Sequence, residues 1–245
     1  MAMEPRLSIV IPCYNEEENI PLILTQLKRI TTCRKDIEIV LVNNGSTDNS
    51  KKLFDKELKE DGCKSIKLVN VARNQGYGHG ILTGLNESKG QLLSWTHADM
   101  QTNPLDVLKA LDSYVNSEKK SIVIKGKRKN RKLLESFFTF GMQLAVFFIL
   151  RTYLDDINAQ PKLFSKEFYD KYIRNEAPLD FSLDLYLLYQ AKMRQYKILE
   201  IPVYFGDRIY GEASGGSGSW KPRIKLIKRT FKYILGLRKV IGNMK

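Results

Sequence analysis

The sequence predicts an α/β fold, a mostly parallel central sheet flanked by helices. Two observations carry this. Short β-rich apolar runs recur along the chain (LSIVI from Leu7, IEIVLV from Ile37, IKLVNV from Ile66, QLLSW from Gln91), and segments of helical period separate them. At 245 residues with 43% hydrophobic content, the chain is long enough to bury a substantial core, and global disorder is excluded.

Taken in order, LSIVI is the first strand and a helix follows it. Asn15 is a candidate cap and Glu16 to Glu18 suit the positive end. Ile20, Ile23, Leu24, Leu27 and Ile30 form one apolar stripe. A second helix is expected near Thr47, capped by Ser46. A third follows the glycines of GYGHG and carries Ile81, Leu82 and Leu85, and a fourth starts after Pro104. Beyond Ser121 the order changes. A strand SIVIK leads into a basic stretch and an apolar helix, then an extended INAQPKLF, and YKILEIPVYF reads as another strand. GEASGGSG from Gly211 is a loop by composition, and the tail after it has helical period. The expected organisation is a domain over 1–215, including an interfacial apolar helix at about 133–153, and a basic amphipathic helix over 216–245.

The 40 Lys and Arg outnumber 27 Asp and Glu, so the net charge of +13 predicts an anionic partner. Six of the eight residues 125–132 are Lys or Arg, directly before FFTFGMQLAVFFIL, a pattern that suits an anionic membrane surface. In the tail, Ile224, Ile227, Phe231, Ile234 and Leu235 are placed opposite a cationic face, for a membrane interface or for docking onto the domain. No run reaches the ~18 apolar residues of a spanning helix. Nucleic acid is not an expected partner, because no recognition motif accompanies the basic clusters. The N-terminus lacks a signal-peptide pattern, so a cytoplasmic location, peripheral to the membrane, is expected. Cys13, Cys33 and Cys63 form neither a CxxC pair nor a zinc pattern.

In open parallel sheets, ligands bind outside the carboxyl ends of the strands. Those ends carry PCYNE, NNGSTD, ARNQGYGHG and THADMQ. Asp99 and Gln101 follow an apolar run, and their alternate spacing predicts side chains on one side, suited to a hard cation with oxygen ligands. The competing reading of Asp99 is a solvated acid opening a loop. Gly76, Gly78 and Gly80 have neither GxGxxG spacing nor a Walker lysine, so they are read as a tight turn before a helix.

PCYNE, NNGSTD and HAD together resemble the P-x-Y-N-E, D-D-G-S-x-D and D-x-D series of glycosyltransferase family 2. RNQGYGHG, HADMQ with Pro104, and FGDRIYGEAS extend the resemblance to the polyprenyl-phosphate sugar synthases, dolichol-phosphate mannose synthases among them. It covers Ser8 to about Ser214. It implies a GT-A (Rossmann-like) fold that binds a nucleotide-diphosphate sugar donor, and inverting transfer to a polyprenyl phosphate. It also implies a divalent cofactor, Mg²⁺ or Mn²⁺, bridging the donor diphosphate. By the same resemblance Pro12, Tyr14 and Glu16 contact base and ribose, Asn44 and Asp48 lie near the nucleotide, and Asp99 and Gln101 hold metal and diphosphate. Arg131, Arg208 and Ser214 are the phosphate-side candidates.

Three departures stand out. His97 replaces the first acid of D-x-D and is either an imidazole metal ligand, favouring manganese, or a bystander. Asn43 and Asn44 replace an acidic pair. Ser214 is followed by Gly215 in place of Lys, with Lys221 a possible substitute. Glu16 has a second reading as a first-turn helix acid, Asp48 as a cap, and Arg208 as a surface partner of Asp207 or Glu212. Asp184 is a candidate base for a hydroxyl acceptor, or an exposed helix acid. The Asp155–Asp156 pair is expected to end a helix. Two other functions fit: transfer to a saccharide or surface glycan, and a non-catalytic membrane-associated sugar-nucleotide-binding module, with a membrane-protein partner possible in either case.

Overall fold

The computed structural model describes residues 4–59, 63–118, 121–130, 143–144, 146–210, 228 and 231–238. Seven strands form one sheet: β1 Leu7–Cys13, β2 Ile37–Asn44, β3 Ile66–Val71, β4 Leu92–Trp95, β5 Ile122–Lys129, β6 Lys162–Ser165 and β7 Lys197–Tyr204. The sheet order is β3-β2-β1-β4-β6-β5-β7. β1, β2, β3 and β4 are parallel, as are β5 and β7, whereas β6 runs antiparallel between β4 and β5. The chain first winds outward from β1 to β3, then returns to place β4 on the other side of β1. The crevice above β1 and β4 is therefore a topological switch point.

Alternation along the strands divides the core. Leu7, Ile9 and Ile11 face α1 (Ile20–Cys33), Phe54 of α2 (Ser50–Glu57) and α4 (Asp106–Val115). Val10, Val40 and Val42 face α3 (Tyr77–Asn86), and the same layer holds α5 (Lys166–Tyr172) and α6 (Leu183–Met193). The expected stripe of α1 is buried throughout.

The helix starts differ from expectation. α1 begins at Ile20, because the Glu16 carbonyl accepts from the amides of Asn19 and Ile20 in a preceding turn. Glu16 to Glu18 therefore precede the helix. α2 begins at Ser50. α3 begins at Tyr77 and includes Gly78 and Gly80, which are needed for close approach. A Cβ on Gly78 would lie 2.4 Å from the Pro178 carbonyl oxygen.

Residues 146–150 are helical, with Val146 buried and Phe148 70% exposed. In the tail, residues 231–238 are helical. Ile234 is buried in the core while Phe231 and Leu235 are exposed, so the described part of the expected apolar face is split; Ile224 and Ile227 lie outside the described residues. Among the described residues, no helix is long and apolar enough to cross a membrane.

Candidate active site

The loops after β1 and β2 fasten to each other. The Asn15 amide donates to Ser46 Oγ (3.1 Å), and Thr47 N donates to Asn15 Oδ1 (2.8 Å). These two candidate caps thus bond across loops and cap nothing. Asn15 takes φ of 54°, which asparagine tolerates better than most residues. Asp48 accepts from the amides of Ser50 (3.0 Å) and Glu17 (3.2 Å), so it serves the start of α2 and the PCYNE loop together. Asn43 donates to Asn70 Oδ1 (2.9 Å) and accepts from Ser46 N (3.2 Å). Asn44 donates to the Gly76 carbonyl (3.1 Å), and its Oδ1 is buried without a partner. Much of the hydrogen-bonding capacity of the two asparagines is therefore spent on holding loops. Pro12 and Tyr14 are half-buried at the β1 end of this crevice.

Arg208, in the segment after β7, reaches into the crevice. Its guanidinium lies 3.0 Å from Asp99 Oδ2 and 3.4 Å from Glu16 Oε1. Both carboxylates lie in the crevice, so Arg208 has partners there besides the expected surface neighbours; of these, Glu212 lies outside the described residues. Asn19 Nδ2 holds the other Glu16 oxygen at 2.6 Å. Burial pushes the Glu16 carboxyl above its ordinary pKa, and Asp99 adds to the shift, while Asn19 and Arg208 oppose it. β4 ends at Trp95 and Met100 has φ of 57°, so strand alternation does not govern the Asp99–Gln101 pair. Instead Gln101 N donates to Asp99 Oδ1 (3.1 Å), and Gln101 Nε2 donates to the Gly206 carbonyl (3.2 Å). Gly206 N returns a bond to Gln101 O at 2.9 Å, tying the loops after β4 and β7 together.

A second polar cluster lies beneath. His97 Nε2 is 3.1 Å from the Tyr77 hydroxyl, and its Nδ1 is 3.9 Å from Asp99 Oδ2. Gln160 Nε2 donates to the Tyr77 oxygen (3.2 Å) and to Asp184 Oδ1 (2.8 Å). Lys162, fully buried in β6, meets Asp184 Oδ1 at 2.9 Å and the carbonyls of Ile157 and Ala159 at 2.9 and 2.6 Å. All three ammonium protons are thereby used. Burial lowers the Lys162 pKa, and Asp184 opposes that shift. Asp184 is 2% exposed, so it is not an exposed helix acid. Sequence reasoning missed Tyr77, Gln160 and Lys162. The one signal for Gln160 and Lys162 is polar residues two apart inside the extended QPKLF; Tyr77 lies among the glycines of RNQGYGHG.

The family model of glycosyl transferase family 2 matches residues 8–172. The chain belongs to this family.

The dolichyl-phosphate beta-glucosyltransferase ALG5A of Trichomonas vaginalis is 29% identical to this glycosyltransferase over 247 residues, covering 96% of this chain and 76% of that protein. The undecaprenyl-phosphate 4-deoxy-4-formamido-L-arabinose transferase of Proteus mirabilis is 30% identical over 128 residues, 52% of this chain and 38% of that one. The fold matches a crystal structure of glucosyl-3-phosphoglycerate synthase from Mycobacterium tuberculosis, solved with Mn²⁺, UDP and glucosyl-3-phosphoglycerate. That match has a TM-score of 0.70 at 15% identity, over 97% of this chain and 80% of that chain. The GT-A architecture expected from the motifs is the observed one.

Much of the transferase's basic stretch is neutralised internally. Lys125, buried, pairs with Glu200 at 2.8 Å; Lys127 pairs with Glu200 (2.8 Å) and Asp155 (3.1 Å). Arg128 Nε lies 2.9 Å from Asp156 Oδ1, and Asp156 Oδ2 accepts the Arg128 amide at 2.8 Å. The two aspartates therefore serve β5 as counter-ions. Arg131, Ser214, Glu212 and Lys221 lie outside the described residues.

The donor set suits a divalent ion. Asp99 is a buried carboxylate that already attracts a cation, the Arg208 guanidinium, and His97 Nδ1 faces it. No group of three His, Cys, Asp or Glu residues converges among the described residues. An ion here would therefore complete its shell largely from diphosphate and water oxygens.

Proposed function

We propose that this glycosyltransferase moves a sugar, with inversion, from a nucleotide-diphosphate sugar to a polyprenyl phosphate at the cytoplasmic face of a membrane. The convergence of Glu16, Asp99 and Arg208 at the switch point carries the reading, because it joins a carboxylate pair to a cation able to release onto phosphate. The acceptors named for the Trichomonas and Proteus relatives are polyprenyl phosphates, which supports the acceptor class.

In this reading Asp99, with Gln101 and His97 beside it, holds Mg²⁺ or Mn²⁺. The ion's chemistry is to offset the charge that develops on the leaving diphosphate. Glu16, with Pro12, Tyr14, Asn44 and Asp48, forms the nucleoside end. Arg208 exchanges its carboxylate partners for phosphate oxygens, which its planar fork can grip through two bonds. Arg131 and Ser214 assist on the phosphate side. A phosphate acceptor is ionised at neutral pH and attacks without a strong general base.

That point separates this reading from transfer to a glycan hydroxyl, which would call on Asp184 as base. The Asp184 Oδ1 atom is held by both Lys162 and Gln160. Residues 1–215 form the transferase domain and 216–245 a basic appendage. Exposed Phe147, Phe148 and Tyr153 supply an apolar surface for the membrane.

The test is a panel of nucleotide sugars with Mg²⁺ or Mn²⁺, with and without polyprenyl phosphate in anionic vesicles. A lipid-linked sugar product is expected. Metal-dependent donor hydrolysis with transfer only to a glycan would overturn the acceptor assignment.

A further inference from the structure

The segment after β7 crosses the crevice as a short strap, residues 206–210, fastened at both ends. At its start Gly206 N donates to Gln101 O (2.9 Å), and the Gly206 carbonyl accepts from Gln101 Nε2 (3.2 Å). At its far end the Tyr210 carbonyl lies 3.5 Å from Asn19 Nδ2, the same nitrogen that holds Glu16. Between these ends Asp207, Ile209 and Tyr210 are exposed, whereas Arg208 is half-buried and reaches into the crevice.

The guanidinium spans two carboxylates that come from different loops. Nη2 lies 3.0 Å from Asp99 Oδ2 and Nη1 lies 3.4 Å from Glu16 Oε1. Two carboxylates close enough to share one guanidinium repel each other unless a cation lies between them. In the ligand-free fold the strap supplies that cation. The other Asp99 oxygen, Oδ1, accepts the Gln101 amide at 3.1 Å, so both oxygens of this carboxylate are engaged. An ion reaching Asp99 with Arg208 in place would meet a like charge on the oxygen it needs.

We propose that Arg208 is an internal counter-ion that keeps Asp99 closed to a free divalent ion until a diphosphate draws the guanidinium away, so that metal binding is conditional on the nucleotide. The inference rests on the reading of Asp99 as the metal-holding carboxylate and is independent of the acceptor. A diphosphate offers the guanidinium two parallel bonds in place of one contact to each of two carboxylates. Once Arg208 moves onto phosphate, Asp99 and Glu16 lose their shared cation, and the crevice gains affinity for another. Such coupling is reciprocal: the factor by which the diphosphate improves metal affinity is the factor by which the metal improves diphosphate affinity. The strap therefore disfavours a metal-only state, in a site where, among the described residues, no three acids, thiols or imidazoles converge to hold an ion unaided.

The experiment is Mn²⁺ titration of the full chain, read by electron paramagnetic resonance of the free ion, first without nucleotide and then with UDP or GDP. Wild type is expected to bind Mn²⁺ weakly when no nucleotide is present. Arg208→Gln removes the counter-ion and should tighten nucleotide-free Mn²⁺ binding about tenfold. Adding Asp99→Asn to that variant should abolish the gain, which assigns it to this carboxylate and subtracts Mn²⁺ held elsewhere. Arg208→Lys keeps a positive charge on the strap and should stay close to wild type. The factor by which UDP or GDP improves Mn²⁺ affinity should be smaller in Arg208→Gln than in wild type.

Equal nucleotide-free affinity in wild type and Arg208→Gln overturns the proposal; the metal reading of Asp99 survives that result if Asp99→Asn alone loses the Mn²⁺ bound with nucleotide. An equal gain in Arg208→Gln and Arg208→Lys also overturns it, since the gain would then come from a loosened strap and not from charge. No Mn²⁺ bound by wild type with either nucleotide removes the metal reading, and the proposal with it. If the gain appears as expected while no sugar reaches polyprenyl phosphate, the counter-ion role stands and the acceptor assignment falls alone.

Discussion

Two charge clusters lie one above the other at the carboxyl end of the sheet, and they differ in what water can reach. In the outer cluster the Arg208 side chain is 19% exposed and its partners Glu16 and Asp99 are 11% and 9% exposed. In the inner cluster Lys162 and Asp184 are 0% and 3% exposed. The outer groups come from the loops after β1, β4 and β7, whereas Lys162 sits in a strand with neighbours on both sides. A partly wet, loop-borne ion pair can trade partners for a ligand at modest cost. A dry one cannot, because a charge left alone there has no solvent to turn to. The first arrangement suits binding and release, the second suits orientation.

The largest effect expected from this contrast is on stability. Lys162→Met alone strands the Asp184 carboxylate and should cost about 3–5 kcal/mol in urea unfolding, with Lys162→Met/Asp184→Asn recovering most of it. A single variant as stable as wild type would erase the distinction between the clusters. The next effect is on rate. Asp99→Asn should lower sugar transfer by about 10²–10³-fold while the unfolding midpoint stays near wild type. A large loss of stability instead would make Asp99 a structural residue.

A smaller change is expected for Arg208→Gln, which should raise the donor KM. It should also push the Glu16 carboxyl higher still, since Arg208 opposes the effect of burial on that group. Carboxyl ¹³C titration checks the second part; an unchanged Glu16 would place Arg208 elsewhere in solution. The smallest effect is on the pH profile of stability. Because Glu16 has a raised pKa when folded, the native state holds that proton more tightly than the unfolded chain. This contribution favours folding at low pH and is lost as pH rises from the ordinary carboxylate range through the folded value. Glu16→Gln should flatten that part of the urea-midpoint profile, and a profile parallel to wild type would contradict it.

The outer cluster was more legible in the sequence than the inner one, for a physical reason. Asp99, Glu16 and Arg208 lie in polar loops at strand ends, where local pattern and topology both point. The strands were legible because residues such as Ile9 and Ile11 alternate with Val10 between two apolar layers. Helix starts were not. Asn15 and Ser46 are good caps by residue type, and only the folded chain shows them bonded to each other. Lys162 was invisible because its burial comes from β6 inserting antiparallel between β4 and β5, a tertiary event. The basic stretch misled in part for the same reason, since Glu200 on the neighbouring β7 neutralises Lys125 and Lys127 of β5.

The most direct test of the whole account is transfer of labelled sugar to a polyprenyl phosphate compared with the matching unphosphorylated polyprenol, under the same donor and Mn²⁺. The account predicts product on the phosphate and none on the alcohol, because among the described residues Arg208 is a cation suited to a phosphate, whereas Asp184, the candidate base for a hydroxyl, is held by Lys162 and Gln160. Equal transfer to both lipids, or transfer to the alcohol that is lost in Asp184→Asn, would contradict it.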